Sequence, residues 1–188
     1  MVFDRRSFLA ASISLAATAA AAAPADPQNT VYLDTKDGRV TILLRPDLAP
    51  KHVAQIETLT KRGFYNGLTF HRVIAGFMAQ TGDPTGTGSG KSDLPNLPAE
   101  FTKTPFKRGT VGMARAQDPN SANSQFFICL ADAPFLDGQY TLVGEVISGM
   151  DVVDKIKKGA KADNGAVSNP DRIVKMQLAT DAAPAKAK

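Results

Sequence analysis

The run Phe70-His71-Arg72-Val73-Ile74-Ala75-Gly76-Phe77-Met78-Ala79-Gln80-Thr81-Gly82-Asp83 sets one permanent cation among apolar and amide side chains. Arg72 and Gln80 stand eight residues apart, an even offset that puts them on one face of a continuous strand, with Gly76 marking a bend or bulge between them. A second stretch, Ser124-Gln125-Phe126-Phe127-Ile128-Cys129, brings another amide between aromatics. A third, Phe135-Leu136-Asp137-Gly138-Gln139-Tyr140, adds aromatic surface beside an Asp-Gly turn.

The chemistry open to these residues is narrow. The sequence has no metal-ligand spacing, no paired-carboxylate signature and no nucleophile with a base. His71 alternates with Arg72, so it faces the other way and reads as a structural histidine. His52, at the polar start of a helical pattern, reads as an exposed residue rather than a ligand. Gly86-Thr87-Gly88-Ser89-Gly90-Lys91-Ser92 resembles a phosphate loop only superficially: Thr85 stands where that loop needs glycine, and Pro95 and Pro98 follow where a helix would begin. Bond cleavage therefore lacks machinery, but rotation about an amide needs none.

Turning an X-Pro bond requires only that C–N conjugation be broken, a barrier of roughly 18–20 kcal/mol. In the twisted amide the nitrogen regains its lone pair and accepts a hydrogen bond that the planar amide does not. Arg72 would thus bind the transition state better than the ground state, and a hydrogen bond to a charged group contributes about 1.5–3 kcal/mol. Phe77, Met78, Phe127 and Leu136 would form the apolar socket for a proline ring, while Gln80 and the main chain around Arg115 could hold peptide carbonyls. Two plainer readings stand beside these: an ion pair of Arg72 with Asp83 or Glu100, and core packing for Met78, as for Phe70, Phe126 and Ile128.

Residues 31–35 and 39–44 read as a hairpin around Lys36-Asp37-Gly38, since glycine takes positive φ cheaply. Residues 51–62 carry Val53, Ile56 and Leu59 at helical spacing between Pro50 and Gly63. A strand is expected over 68–74, with 77–81 as its continuation, then a surface loop over 82–98. Extended runs follow at 111–116, 124–130, 140–146 and 172–178, with a helix over 149–158 and a loop over 159–171. Strands with tight turns, no βαβ alternation and two amphipathic helices point to an antiparallel barrel capped by helices. The expected core includes Ile42, Val53, Ile56, Phe70, Ile128, Leu142 and Val143.

FHRVIAGFMAQTGD, then MARAQDPNSANSQFFI, then FLDGQYTLVGEV closely resemble the cyclophilins, peptidyl-prolyl cis-trans isomerases, in order and spacing from about Val31 to about Leu178. The resemblance implies a mainly β fold, a closed eight-stranded antiparallel β-barrel capped by two α-helices, working without a cofactor or metal on proline-containing polypeptides. It implies Arg72, Phe77 and Gln80 as catalytic residues. Met78, Ala114, Arg115, Ala116, Gln125, Phe127, Phe135, Leu136 and Tyr140 follow as substrate-binding residues. Departures from the best-known eukaryotic pattern are Arg115 where asparagine is usual, Phe135 for tryptophan, Tyr140 for histidine and Thr81 for a glycine. Phe135 lacks an indole N–H, so weak binding of cyclosporin-type inhibitors is expected. A peptide-holding module without catalysis is the alternative function, disfavoured by the joint presence of Arg72, Phe77, Gln80 and Phe127.

The chain ends address location. Asp4-Arg5-Arg6-Ser7-Phe8-Leu9, an alanine-rich apolar run and Ala23-Pro24-Ala25 match a cleavable signal peptide over 1–25, with the arginine pair pointing to twin-arginine export into the periplasm. Residues 26–30 read as a linker, 31–179 as the isomerase domain and 180–188 as a disordered tail. Of 188 residues 43% are hydrophobic and 21% charged, enough for one domain with a substantial core; the net charge of +4 argues nothing about partners, and without a dense Lys/Arg run between aromatics a nucleic-acid surface is unsupported. Cys129 is the only cysteine, so no intramolecular disulfide can form, and Phe-Phe-Ile-Cys-Leu suits a buried inert thiol. The reading is an exported monomer that assists the folding of exported proteins.

Overall fold

The computed structural model describes residues 26–182; the expected signal peptide and most of the expected tail lie outside the described residues. The segment read as a linker holds a 3-10 turn, Pro27–Asn29, capped by the Asp26 carboxylate on the Gln28 N–H. It leads into β1 (Thr30–Thr35) and β2 (Gly38–Leu44), the expected hairpin. α1 spans Pro50–Lys61, followed by β3 (Arg72–Ile74), β4 (Met78–Thr81), β5 (Thr110–Met113) and β6 (Phe126–Cys129). β7 (Leu142–Ser148), α2 (Met150–Lys155) and β8 (Lys175–Leu178) complete the chain, with further 3-10 turns between.

All eight strands form one antiparallel sheet in the order β3-β4-β6-β5-β7-β2-β1-β8. The expected closed barrel is corrected to an open, curled half-barrel, because β3 and β8 do not pair with each other. The edge of β3 is already occupied: Val73 N–H donates to the Gly165 carbonyl at 2.8 Å, Gly159 N–H to the Val73 carbonyl at 2.9 Å, and Val167 N–H to the His71 carbonyl at 3.1 Å. The chain just upstream of each edge strand spans the opening, with Phe70 N–H on the Asp171 carbonyl and Ile173 N–H on the Leu68 carbonyl.

The expected continuous strand across Gly76 is also corrected. The chain reverses there, with Phe77 N–H on the Ile74 carbonyl and Gly76 at φ 71, a conformation favourable mainly to glycine. β3 and β4 therefore pair as a hairpin in which Arg72 lies directly opposite Gln80. The face-sharing expected of an unbroken strand is achieved by cross-strand pairing instead.

The inner face of the curl holds the main core, including the expected Ile42, Val53, Ile56, Phe70, Ile128 and Val143. α1 packs Val53, Ile56 and Leu59 into it, and α2 adds Val152 and Val153. Leu142 is buried as expected but belongs to a second cluster with Met78, Phe106, Phe127, Cys129, Ala133 and Leu136, on the other side of the sheet.

His52 is a correction: it is fully buried. α1 has no side-chain cap of its own at Ala49, and Glu100 supplies one from 48 residues away. The Glu100 carboxylate accepts from Lys51 N–H (3.2 Å) and His52 N–H (3.1 Å) and lies 2.7 Å from His52 Nδ1. The carboxylate satisfies helix-end donors and draws the imidazole inward with it.

Candidate active site

Residues opposite one another in a sheet project to the same side, and one such row crosses five strands: Arg72, Gln80, Phe127, Gly112, Leu142. Gly112 is what lets the row form a cleft. A Cβ there would come within 2.5 Å of the Phe127 ring and 2.7 Å of Phe106, so the missing side chain allows the aromatic rings to lie against the backbone. Phe127 stacks on Phe106 with centroids 6.1 Å apart and meets Tyr140 edge-on at 5.9 Å. Phe77, Met78 and Leu136 complete an apolar floor, and the cleft above encloses about 640 Å³.

Arg72 stands at the edge of that floor. Its Nη1 donates to Gln80 Oε1 at 3.2 Å, its Nε to the Asn164 carbonyl at 3.0 Å and its Nη2 to Asn164 Oδ1 at 2.9 Å. A guanidinium has five N–H donors, so one hydrogen on each Nη remains. No carboxylate pairs with Arg72 among the described residues. Asp83 is committed to its own loop, accepting from Thr85 N–H, Gly88 N–H and Gly90 N–H, and Glu100 caps α1. The ion-pair alternative for Arg72 therefore falls. Burial pulls the guanidinium's pKa down from its ordinary value, but arginine starts so far above neutrality that it stays charged.

Gln80 also donates to Gln125 Oε1 at 2.8 Å, and Gln125 passes its own two N–H groups to the Gly88 and Gly90 carbonyls at 3.0 and 2.8 Å. Gln125, expected to touch substrate, has both amide N–H groups on the 82–98 loop and braces Gln80 through its Oε1. Beyond it, Ala114, Arg115 and Ala116 line a second depression of about 470 Å³ shared with Gln80 and Gln125. Ala114 N–H bonds the Gln125 carbonyl and Ala116 N–H bonds Ser121 Oγ. The Arg115 main-chain N–H and carbonyl make no bond among the described residues, and Arg115 lines both depressions, which leaves main-chain groups there for an extended peptide to pair with.

The protein-family model of the cyclophilin type peptidyl-prolyl cis-trans isomerases matches residues 30–178. The chain belongs to the cyclophilins. A Brucella suis protein named "Probable peptidyl-prolyl cis-trans isomerase" is 61% identical over 185 residues, 93% of each chain. A Helicobacter pylori peptidyl-prolyl cis-trans isomerase is 45% identical over 131 residues, covering 68% of this chain and 80% of the relative. Among solved structures, a Hirschia baltica cyclophilin superposes with a TM-score of 0.76 at 31% identity, covering 85% of this chain and 77% of that one. A Cryptosporidium parvum cyclophilin type isomerase, crystallised in the presence of the dipeptide Ala-Pro, gives 0.72 at 29% identity, covering 79% and 98%. The protein is a peptidyl-prolyl cis-trans isomerase, and cyclophilins of this kind act on proline-containing peptides.

The departures of this cyclophilin have structural consequences. Arg115 lies over the Tyr140 ring, 4.5 Å from its centroid, and its guanidinium bonds the Gln139, Ala116 and Gln117 carbonyls. The two unusual residues thus form one unit at the cleft wall. Phe135 is 61% exposed, with its ring 5.2 Å from Phe77, so it extends the apolar surface beyond the floor without a polar handle.

Several cleft residues were not singled out by sequence. Asn164 comes from a loop 92 residues beyond Arg72, and its Asn-Gly pair is a turn signal that could have marked it. Gly86, Thr87 and Gly88 border the cleft from the 82–98 loop. His71 does not turn wholly away: it is 8% exposed, lies beside Gly88 at the cleft wall, and neither ring nitrogen has a hydrogen-bond partner.

Proposed function

We propose that this cyclophilin rotates X-Pro bonds with Arg72 as the electrophilic donor. Proline enters the floor formed by Phe77, Met78, Phe127 and Leu136, and the flanking peptide pairs with Gln80 and the Arg115 main chain. The observation carrying this reading is the three-point fixation of Arg72 with one N–H left on each Nη, beside an apolar floor and with no counter-charge among the described residues. The twisted amide nitrogen is a better acceptor than the planar one, so those donors act on the transition state. No bond to the protein forms and no proton need move.

The test is a proline-peptide isomerisation assay on the full chain beside Arg72→Ala. Losing one charged donor at about 1.5–3 kcal/mol corresponds to a fall of about 10- to 150-fold in kcat/KM. If the two proteins were equally slow while peptide still bound, the cleft would only hold peptides; if they were equally fast, Arg72 would not be the donor.

The site of action proposed is the periplasm, with exported proteins as substrates. Asp4-Arg5-Arg6-Ser7-Phe8-Leu9 and the alanine-rich run to Ala25 support it as a twin-arginine leader. Replacing Arg5 and Arg6 by lysine is expected to leave uncleaved precursor in the cytoplasm, read by cell fractionation and N-terminal sequencing. Normal processing of that variant would favour the general secretory route.

A further inference from the structure

The nitrogens Nε and Nη2 present two adjacent N–H groups along one edge of a guanidinium, and in Arg72 both are taken by a single residue, through its main-chain carbonyl and its side-chain oxygen. We propose that Asn164 is a positioning residue for catalysis, fixing the Arg72 guanidinium so that its remaining Nη hydrogens point into the cleft. This rests on the reading of Arg72 given above.

Three features of the loop support the role. Asn164 sits at φ 52 and ψ 31, a left-handed conformation that asparagine tolerates better than most residues, at the end of the turn Lys161–Asp163. That conformation turns both of its oxygens toward one guanidinium. The loop is also fastened to β3 on either side of Asn164, through Gly159 N–H on the Val73 carbonyl and Val73 N–H on the Gly165 carbonyl. The anchor therefore moves with the strand that carries Arg72. Finally, both acceptors are neutral amide oxygens. They orient the cation without supplying a negative charge that would compete with the substrate for it, as a carboxylate in the same place would. Asn164 is itself exposed, so it contributes little to the core and its contacts are directed to the arginine.

Asn164→Gly retains the left-handed backbone and the main-chain acceptor and removes the side chain whose Oδ1 bonds Arg72. In the full chain, kcat for a proline peptide is expected to fall about tenfold, as for one charge-assisted hydrogen bond, with peptide Kd and Tm unchanged. In the Arg72→Ala background the same substitution should leave the rate unaltered. Rates are referred to the folded fraction measured by circular dichroism. An Asn164→Gly enzyme as fast as the parent, or an equal fall in both backgrounds, overturns the positioning role and leaves Arg72's assignment standing. Arg72→Ala as fast as the parent overturns both.

Discussion

At the scale of single residues, one glycine shapes the cleft and one buried histidine beside it sets a pH dependence of stability. Gly112 leaves room for Phe127 and Phe106, and an alanine there forces at least one ring aside. Gly112→Ala is expected to cost about 1–3 kcal/mol by overpacking. It should also weaken proline-peptide binding, because Phe127 is part of the floor; thermal melts with peptide titration check both. His71 acts on pH dependence. Burial pushes its pKa down, opposed by the Asp83 carboxylate, while the Arg72 charge adds to the downward shift. Its folded-state value is therefore depressed, so the unfolded chain binds more protons: the contribution of His71 to stability is complete above the ordinary histidine value of about 6.5 and is lost as pH falls below it. Urea midpoints should drop between pH 7.5 and 5.5, with a shallower slope in His71→Gln. Phe135 has no ring N–H donor, so titration with a cyclosporin-type inhibitor is expected to show weak binding.

At the scale of elements, α1 is held at its start by a residue from a distant loop. Removing Glu100 leaves the Lys51 and His52 N–H groups and a buried imidazole without their acceptor. Glu100→Ala should lower stability by at least about 2 kcal/mol, a Tm shift of about 4–8 °C for a domain of this size. Burial alone would raise the Glu100 pKa, but the bonds from His52 and Lys51 outweigh it and hold the carboxyl below its ordinary range. This contribution is present above the unfolded carboxylate value of about 4.3 and is lost as pH falls through the lower folded one. Scanning calorimetry from pH 6 to pH 3 should show parent and variant converging. The same arrangement explains what sequence reading reached. α1 was legible from Val53, Ile56 and Leu59 between Pro50 and Gly63, and the β1–β2 hairpin from Asp37-Gly38, because both signals are local. The burial of His52 was not, because its cause lies 48 residues away. Arg72, Gln80 and Phe127 could be named from motif and chemistry, whereas their meeting depends on a reversal at Gly76 that an even residue offset did not show.

At the scale of the whole molecule, strand count and pairing sense were readable, but closure was not. Alternating patterns state which side of a strand faces inward and are silent on which strand edges find a partner. The 159–167 segment settles that question by bonding to β3, and the same segment brings Asn164 to Arg72. That occupied edge has a further effect. A bare strand margin is a template on which a loose, extended polypeptide can add itself, and an enzyme that receives such polypeptides meets the hazard at every turnover. With its rim next to the catalytic cleft already taken by its own 159–167 segment, the half-barrel offers an incoming chain no free strand margin there on which to extend the sheet.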